Sequence, residues 1–160
     1  MPDLRAKVLT VSDGVMAGTR ENKSGVALVN ALSEAGYEIT DRRVVGDGVD
    51  AVTGALREMA NGFAGVIVTT GGTGFGPRDN TPEATLQVID REAPGLAEAM
   101  RMETLKQTPM AMISRGVCGI RSGTLIVNLP GSPKAVRESF EIIRPVLSHA
   151  VALLEGNTSH

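Results

Sequence analysis

Tryptophan is absent from this chain of 160 residues, and only one tyrosine and three phenylalanines stand in for it. With 2% aromatic but 42% hydrophobic residues, any core must be built from Val, Leu, Ile, Ala and Met. The single cysteine, Cys118, rules out an internal disulfide and is compatible with a reducing compartment. Its apolar setting, Gly116-Val117-Cys118-Gly119-Ile120, marks a packed residue and not a nucleophile. No apolar run reaches the roughly 18 residues of a membrane span, and no signal-peptide pattern opens the chain. No basic run is present and the net charge is −2, which argues against nucleic acid as the main partner. The two histidines, His149 and His160, pair with no Ser or Cys in a hydrolase-like order, and metal-type His/Cys spacing is missing. The expectation is one soluble, cytoplasmic domain over residues 1–160, its last residues (155–160) a frayed tail.

What is present is a repeated pattern of apolar run, polar turn and amphipathic segment. The stretch from Val66 to Pro82 shows it best. Val66, Ile67 and Val68 are β-branched and lead into Thr69-Thr70, as in a buried strand over 65–70. The chain then breaks into Gly71-Gly72-Thr73-Gly74, passes Asp79, and reaches Thr81-Pro82, a capping hydroxyl followed by proline at a helix start. Further strands are expected at Lys7 to Ser12, Tyr37 to Val45 and Thr124 to Leu129, with a short one at Pro109 to Ile113. Helices are expected after Ser24 as cap, from about 50 to 60, after Thr81 with Ala84, Leu86 and Ile89 inward, and at roughly 96–107. A last helix opens on Ser132-Pro133, with Pro145 kinking or splitting it. The methionines at 100, 102, 110 and 112 read as core filler or subunit contact. Strands alternating with helices at these lengths imply an α/β domain in three layers, α/β/α, around a mostly parallel sheet.

Two readings fit the glycine turn. Glycines admit φ > 0 and close approach of a ligand, and exposed N–H groups form an anion site. A carboxylate at Asp79 then needs a cation beside the phosphate, which suggests a phosphate ester or nucleotide with Mg²⁺. Alternatively the glycines only reverse the chain and Asp79 caps the next helix. Neither dinucleotide-binding nor Walker spacing is present. Convergence favours a site. Ser12-Asp13, Asp47, Gly71 to Asp79, Ser114-Arg115 and Asn128 to Ser132 all follow expected strands, and in a parallel sheet such ends share one rim. Asp47 and Asp79 are the candidate Mg²⁺ ligands. Arg115 and the helix start at Ser132 offer positive potential to phosphate, and Asn128 an amide. Each alone is also explicable as a turn former or cap.

The segments LTVSDG (9–14), KSG (23–25), TTGGTGFGPRD (69–79), TPEAT (81–85), SRG (114–116) and LIVNLPGSPKAV (125–136) together resemble the MogA/MoaB family of molybdenum cofactor biosynthesis proteins, over nearly the whole chain. The resemblance implies a molybdopterin-binding, MogA-like fold, usually trimeric, with a hexamer as the alternative for this chain. It implies molybdopterin adenylyltransferase activity: molybdopterin and ATP, with Mg²⁺, give adenylyl-molybdopterin and pyrophosphate. The family's two aspartates fall on Asp47 and Asp79, and its pterin-side serine and asparagine on Ser114 and Asn128. Its nucleotide-side contacts fall on Ser12, Asp13, Gly71, Gly72, Thr73, Gly74, Pro130, Gly131 and Ser132. A downstream metal-insertion protein is an implied partner. Gly46 stands where the family often has proline, which implies looser placement of Asp47. Other readings are a non-catalytic, pterin-binding MoaB-type protein, a CinA-like nucleotide-processing domain, and an assembly scaffold.

Overall fold

The computed structural model describes residues 4–157. The last three residues of the expected tail, His160 among them, lie outside that range. Six strands form one sheet in the order β2-β1-β3-β6-β5-β4. They are β1 (Arg5–Val11), β2 (Glu38–Val45), β3 (Gly65–Thr70), β4 (Arg91–Glu92), β5 (Cys118–Arg121) and β6 (Thr124–Leu129). β2, β1, β3 and β6 run parallel, and β5 pairs antiparallel with both β6 and β4.

The helices are α1 (Asp13–Met16), α2 (Lys23–Glu34), α3 (Val49–Ala60), α4 (Thr81–Val88), α5 (Pro94–Leu105) and α6 (Pro133–Leu154). Period-two alternation along the strands divides the apolar residues between two faces. Val66 and Val68 of β3, with Leu125 and Val127 of β6, join a core closed by α2, α5 and α6. Ile67 and Ile126 point the other way, into a core closed by α3 and α4. All six residues of β3 and of β6 are buried, as central strands covered on both faces require.

Four expectations are corrected. Pro109–Ile113 is a 3₁₀ helix, capped by the Thr108 hydroxyl accepting from Met110 N–H at 3.2 Å. Asn22, not Ser24, caps α2, accepting from Gly25 N–H at 3.1 Å. Thr81 is the first residue of α4 instead of its cap, and its hydroxyl donates to the Gly71 carbonyl at 3.0 Å. Pro145 does not split α6, which is helical throughout Pro133–Leu154. Ser132 does cap α6, accepting from Ala135 N–H at 3.2 Å.

Candidate functional site

Strand order reverses between β1 and β3: from β1 the chain moves outward to β2, then returns to β3 on the other side. In an open α/β sheet the crevice for a ligand lies at the carboxyl ends of the two strands flanking such a reversal. A cavity of about 640 Å³ occupies that place. Val11 and Ser12 from the end of β1, Asp47 beyond β2, Gly71, Gly72 and Asp79 beyond β3, and Gly131 and Ser132 beyond β6 all line it. Asp47 and Asp79, far apart in the chain, thus face one space.

Each carboxylate has one oxygen committed. Asp47 Oδ2 accepts from Asp13 N–H at 3.0 Å, and Asp79 Oδ2 from Gly76 N–H at 2.9 Å. Asp79 therefore closes its own loop and does not cap α4, whose cap position holds Asn80 without a side-chain capping bond. Gly74 and Gly76 are small because that carboxylate passes over them: a Cβ would stand 3.1 Å and 2.8 Å from Asp79 Oδ2. Gly71, at φ +99°, is fixed differently, since its Cβ would collide with the Val11 carbonyl. This is where two central strands end side by side.

The expected phosphate cradle is narrower than Gly71 to Gly74. Gly71 and Gly72 line the cavity, but the Gly71 N–H is spent on the Leu129 carbonyl at 3.2 Å. Thr73 is buried, and its carbonyl accepts from Arg115 N–H at 2.8 Å. Arg115 bonds to groups of the protein itself. It follows the 3₁₀ helix and not a strand. Its Nε donates to Gly74 O at 2.9 Å, Nη2 to Asp79 O at 2.6 Å, and Nη1 to Glu83 at 2.7 Å. It braces the loop that carries Asp79.

Ser114 and Asn128 fall outside the main cavity. With Gly116, Pro130 and Ser139 they line a small separate pocket of about 40 Å³. The Asn128 amide is engaged internally: Nδ2 donates to Thr69 Oγ1 at 3.1 Å and Thr85 Oγ1 at 3.0 Å, and Oδ1 accepts from Val117 N–H at 3.1 Å. Pro130 and Gly131 stand between the two spaces, one lining each.

Asp13 is engaged at every polar atom. It accepts from Asp47 N–H at 2.9 Å and from Arg78 Nε at 2.7 Å. The Arg78 hydrogen bonds, and then the Asp47 N–H, hold its carboxyl below the usual carboxylate value. Gly46 has a reason as well. A Cβ there would stand 3.0 Å from Asp13 Oδ1, so the glycine leaves room for this pairing and does not loosen Asp47.

Sequence reasoning did not assign to the site Arg20 and Lys23, which line the cavity and supply its cationic side chains. The available signal was their place: the loop between β1 and α2, and the start of α2, stand at the rim where ligands bind. Among the described residues, no group of three or more His, Cys, Asp and Glu could hold a metal ion by itself. A magnesium ion that takes one or two carboxylates and completes its shell with phosphate oxygens and water needs no such group. Asp47 and Asp79, each with Oδ1 not bound to a backbone N–H, fit that donor set.

The chain is similar to known proteins over nearly its whole length. Residues 7–149 match the family described as a probable molybdopterin binding domain. The chain is 40% identical to the molybdopterin adenylyltransferase of Helicobacter pylori, across 98% of this chain and 91% of that protein. It is 42% identical to the molybdenum cofactor synthesis protein cinnamon of Drosophila melanogaster, where it spans 27% of the longer protein. The crystal structure of the molybdopterin biosynthesis enzyme MoaB from Thermus thermophilus superimposes with a TM-score of 0.88 at 46% identity, covering 96% of this chain and 97% of that one.

Proposed function

Because the chain belongs to the molybdopterin-binding family of molybdenum cofactor biosynthesis proteins, we propose that it is a molybdopterin adenylyltransferase using ATP and Mg²⁺. The observation that carries this reading is the cavity at the β1/β3 reversal, where Asp47, Asp79 and Glu21 meet Arg20, Lys23 and the N-terminus of α6.

In the reaction, an oxygen of the molybdopterin phosphate bonds to the α-phosphorus of ATP, and the bond from that phosphorus to the pyrophosphate oxygen breaks. Pyrophosphate leaves with the electron pair. The attacking phosphate is already anionic, so alignment and charge compensation matter more than proton removal. Asp47 and Asp79 would hold Mg²⁺, which offsets phosphate charge. Arg20 and Lys23 bring positive charge to the same anions, and the first N–H groups of α6 favour negative charge at their end. The small pocket at Ser114 and Asn128 suits an edge of the pterin, with Pro130 and Gly131 at the junction of the two substrates.

The proposed assembly is a homotrimer; the exposed side chains of Met102, Met110 and Met112 and an apolar groove lined by Leu96, Ile120, Val146 and Leu153 support self-association. No helix among the described residues is long and apolar enough to cross a membrane, and one buried, unpaired cysteine suits a cytoplasmic location.

Pyrophosphate release from purified protein, molybdopterin, ATP and Mg²⁺ tests the proposal. Wild type turns over, and Asp79→Ala loses at least about a hundredfold in kcat while still binding molybdopterin. Wild type that binds molybdopterin without releasing pyrophosphate would leave a carrier role, and unimpaired Asp79→Ala would remove Asp79 from the chemistry.

A further inference from the structure

Asp47 and Asp79 sit on turns beyond different strands, so a fixed separation between them needs a link between the turns. One side chain supplies it. Arg78 Nε donates to Asp13 Oδ2 at 2.7 Å, while Nη2 donates to Asp13 Oδ1 at 3.1 Å and to the Asp47 carbonyl at 2.8 Å. Asp13 and Asp47 in turn exchange backbone-to-carboxylate hydrogen bonds in both directions, at 2.9 Å and 3.0 Å. The Asp47 peptide is thereby held at its N–H by Asp13 and at its carbonyl by Arg78, and its carboxylate is oriented by the Asp13 N–H. Arg78 is also the covalent neighbour of Asp79.

We propose that Arg78 is a positioning residue that sets where Asp47 stands relative to Asp79, with Asp13 as the relay between them. The proposal takes its chemical meaning from the adenylyl-transfer reading above. Fold stability is not its role. The Arg78 and Asp13 side chains are 63% and 50% exposed, and ion pairs that open to water contribute little to stability. What the arrangement provides is geometry: a planar fork that meets a carboxylate with two N–H groups and still reaches a carbonyl, which a lysine ammonium cannot reproduce. Groups that orient metal-binding carboxylates typically change metal affinity by about tenfold to a hundredfold when removed.

The test compares wild type, Arg78→Ala, Arg78→Lys and Asp13→Asn in three measurements: binding of Mn²⁺ in the presence of α,β-methylene-ATP by water-proton relaxation, the Mg²⁺ concentration for half-maximal pyrophosphate release, and Tm. Arg78→Ala is expected to weaken Mn²⁺ binding and raise the Mg²⁺ requirement by about tenfold or more, with KM for molybdopterin and Tm nearly unchanged. Arg78→Lys falls between, and Asp13→Asn shifts both metal readouts in the same direction. If Arg78→Ala fails to fold, Arg78→Lys and Asp13→Asn carry the comparison. Wild-type metal dependence in the folded variants overturns the proposal, as does a wild type that binds no Mn²⁺. A wild type that binds Mn²⁺ but makes no pyrophosphate sinks the adenylyl-transfer reading alone, and the Mn²⁺ series still decides on Arg78.

Discussion

Two side chains carry predictions at the scale of the residue. Asp13 keeps its proton off to lower pH in the folded protein than its ordinary value of 3.8 allows, because Arg78 and then the Asp47 N–H stabilise its anion. Whatever stability this pairing gives is fully present above the unfolded value and is lost as pH falls through the lower folded one. Asp13→Asn should therefore lower the urea midpoint slightly at pH 7, flatten the acid limb below about pH 4, and stand closer to wild type at pH 3 than at pH 7. Urea titrations of both proteins at pH 7 and pH 3 measure this. Cys118 behaves oppositely. It is 1% exposed, and burial pushes its thiol up to about 12. Native protein should resist a thiol reagent at pH 8 and react only at the rate of unfolding. Stability should decline as pH rises beyond about 8.5, where the unfolded thiol ionises and the folded one does not. The packed, inert cysteine was readable from its apolar neighbours. The restraint on Asp13 was not, because it depends on Arg78, 65 positions away.

At the scale of elements, long or strongly signalled segments were legible and short ones were not. β3 and β6 have the bounds their apolar runs imply, and the Ser-Pro start of α6 marks a true cap. Ser132→Ala should cost about 1 kcal/mol in unfolding free energy, read from the shift of the denaturant midpoint. The antiparallel edge was invisible: β4 has two exposed residues and β5 only four, too few to show a period. Pro109–Ile113 misled because a short apolar run fits a strand or a helical turn equally. Its exposed Met110 and Met112 belong to a surface turn. In α4 the inward face is Thr81, Ala84, Thr85 and Val88, leaving Leu86 46% exposed. Thr85 turns inward because its hydroxyl donates to Thr81 O and accepts from the Asn128 amide, a demand no hydropathy pattern expresses. The rim itself was legible, since four of its five turns do follow parallel strands. Its division into two pockets arises from packing across Pro130 and could not be read from spacing.

For the whole molecule, the α/β/α layering followed from alternation alone, whereas assembly rests on surface. Sedimentation equilibrium should give three times the 16.7 kDa chain mass, with six times marking the hexamer. Val146→Asp, on the apolar groove, should shift the distribution towards monomer with helical content retained. A final consequence comes from pairing order. β3 gains its second neighbour only when Thr124–Leu129 docks beside it, and every β3 residue is buried once it does. While the ribosome is still adding residues before Thr124, a greasy ribbon with unmet peptide groups along one side has no mate in its own chain. That interval is when the polypeptide is most exposed to clumping with its siblings and when a chaperone would have something to hold.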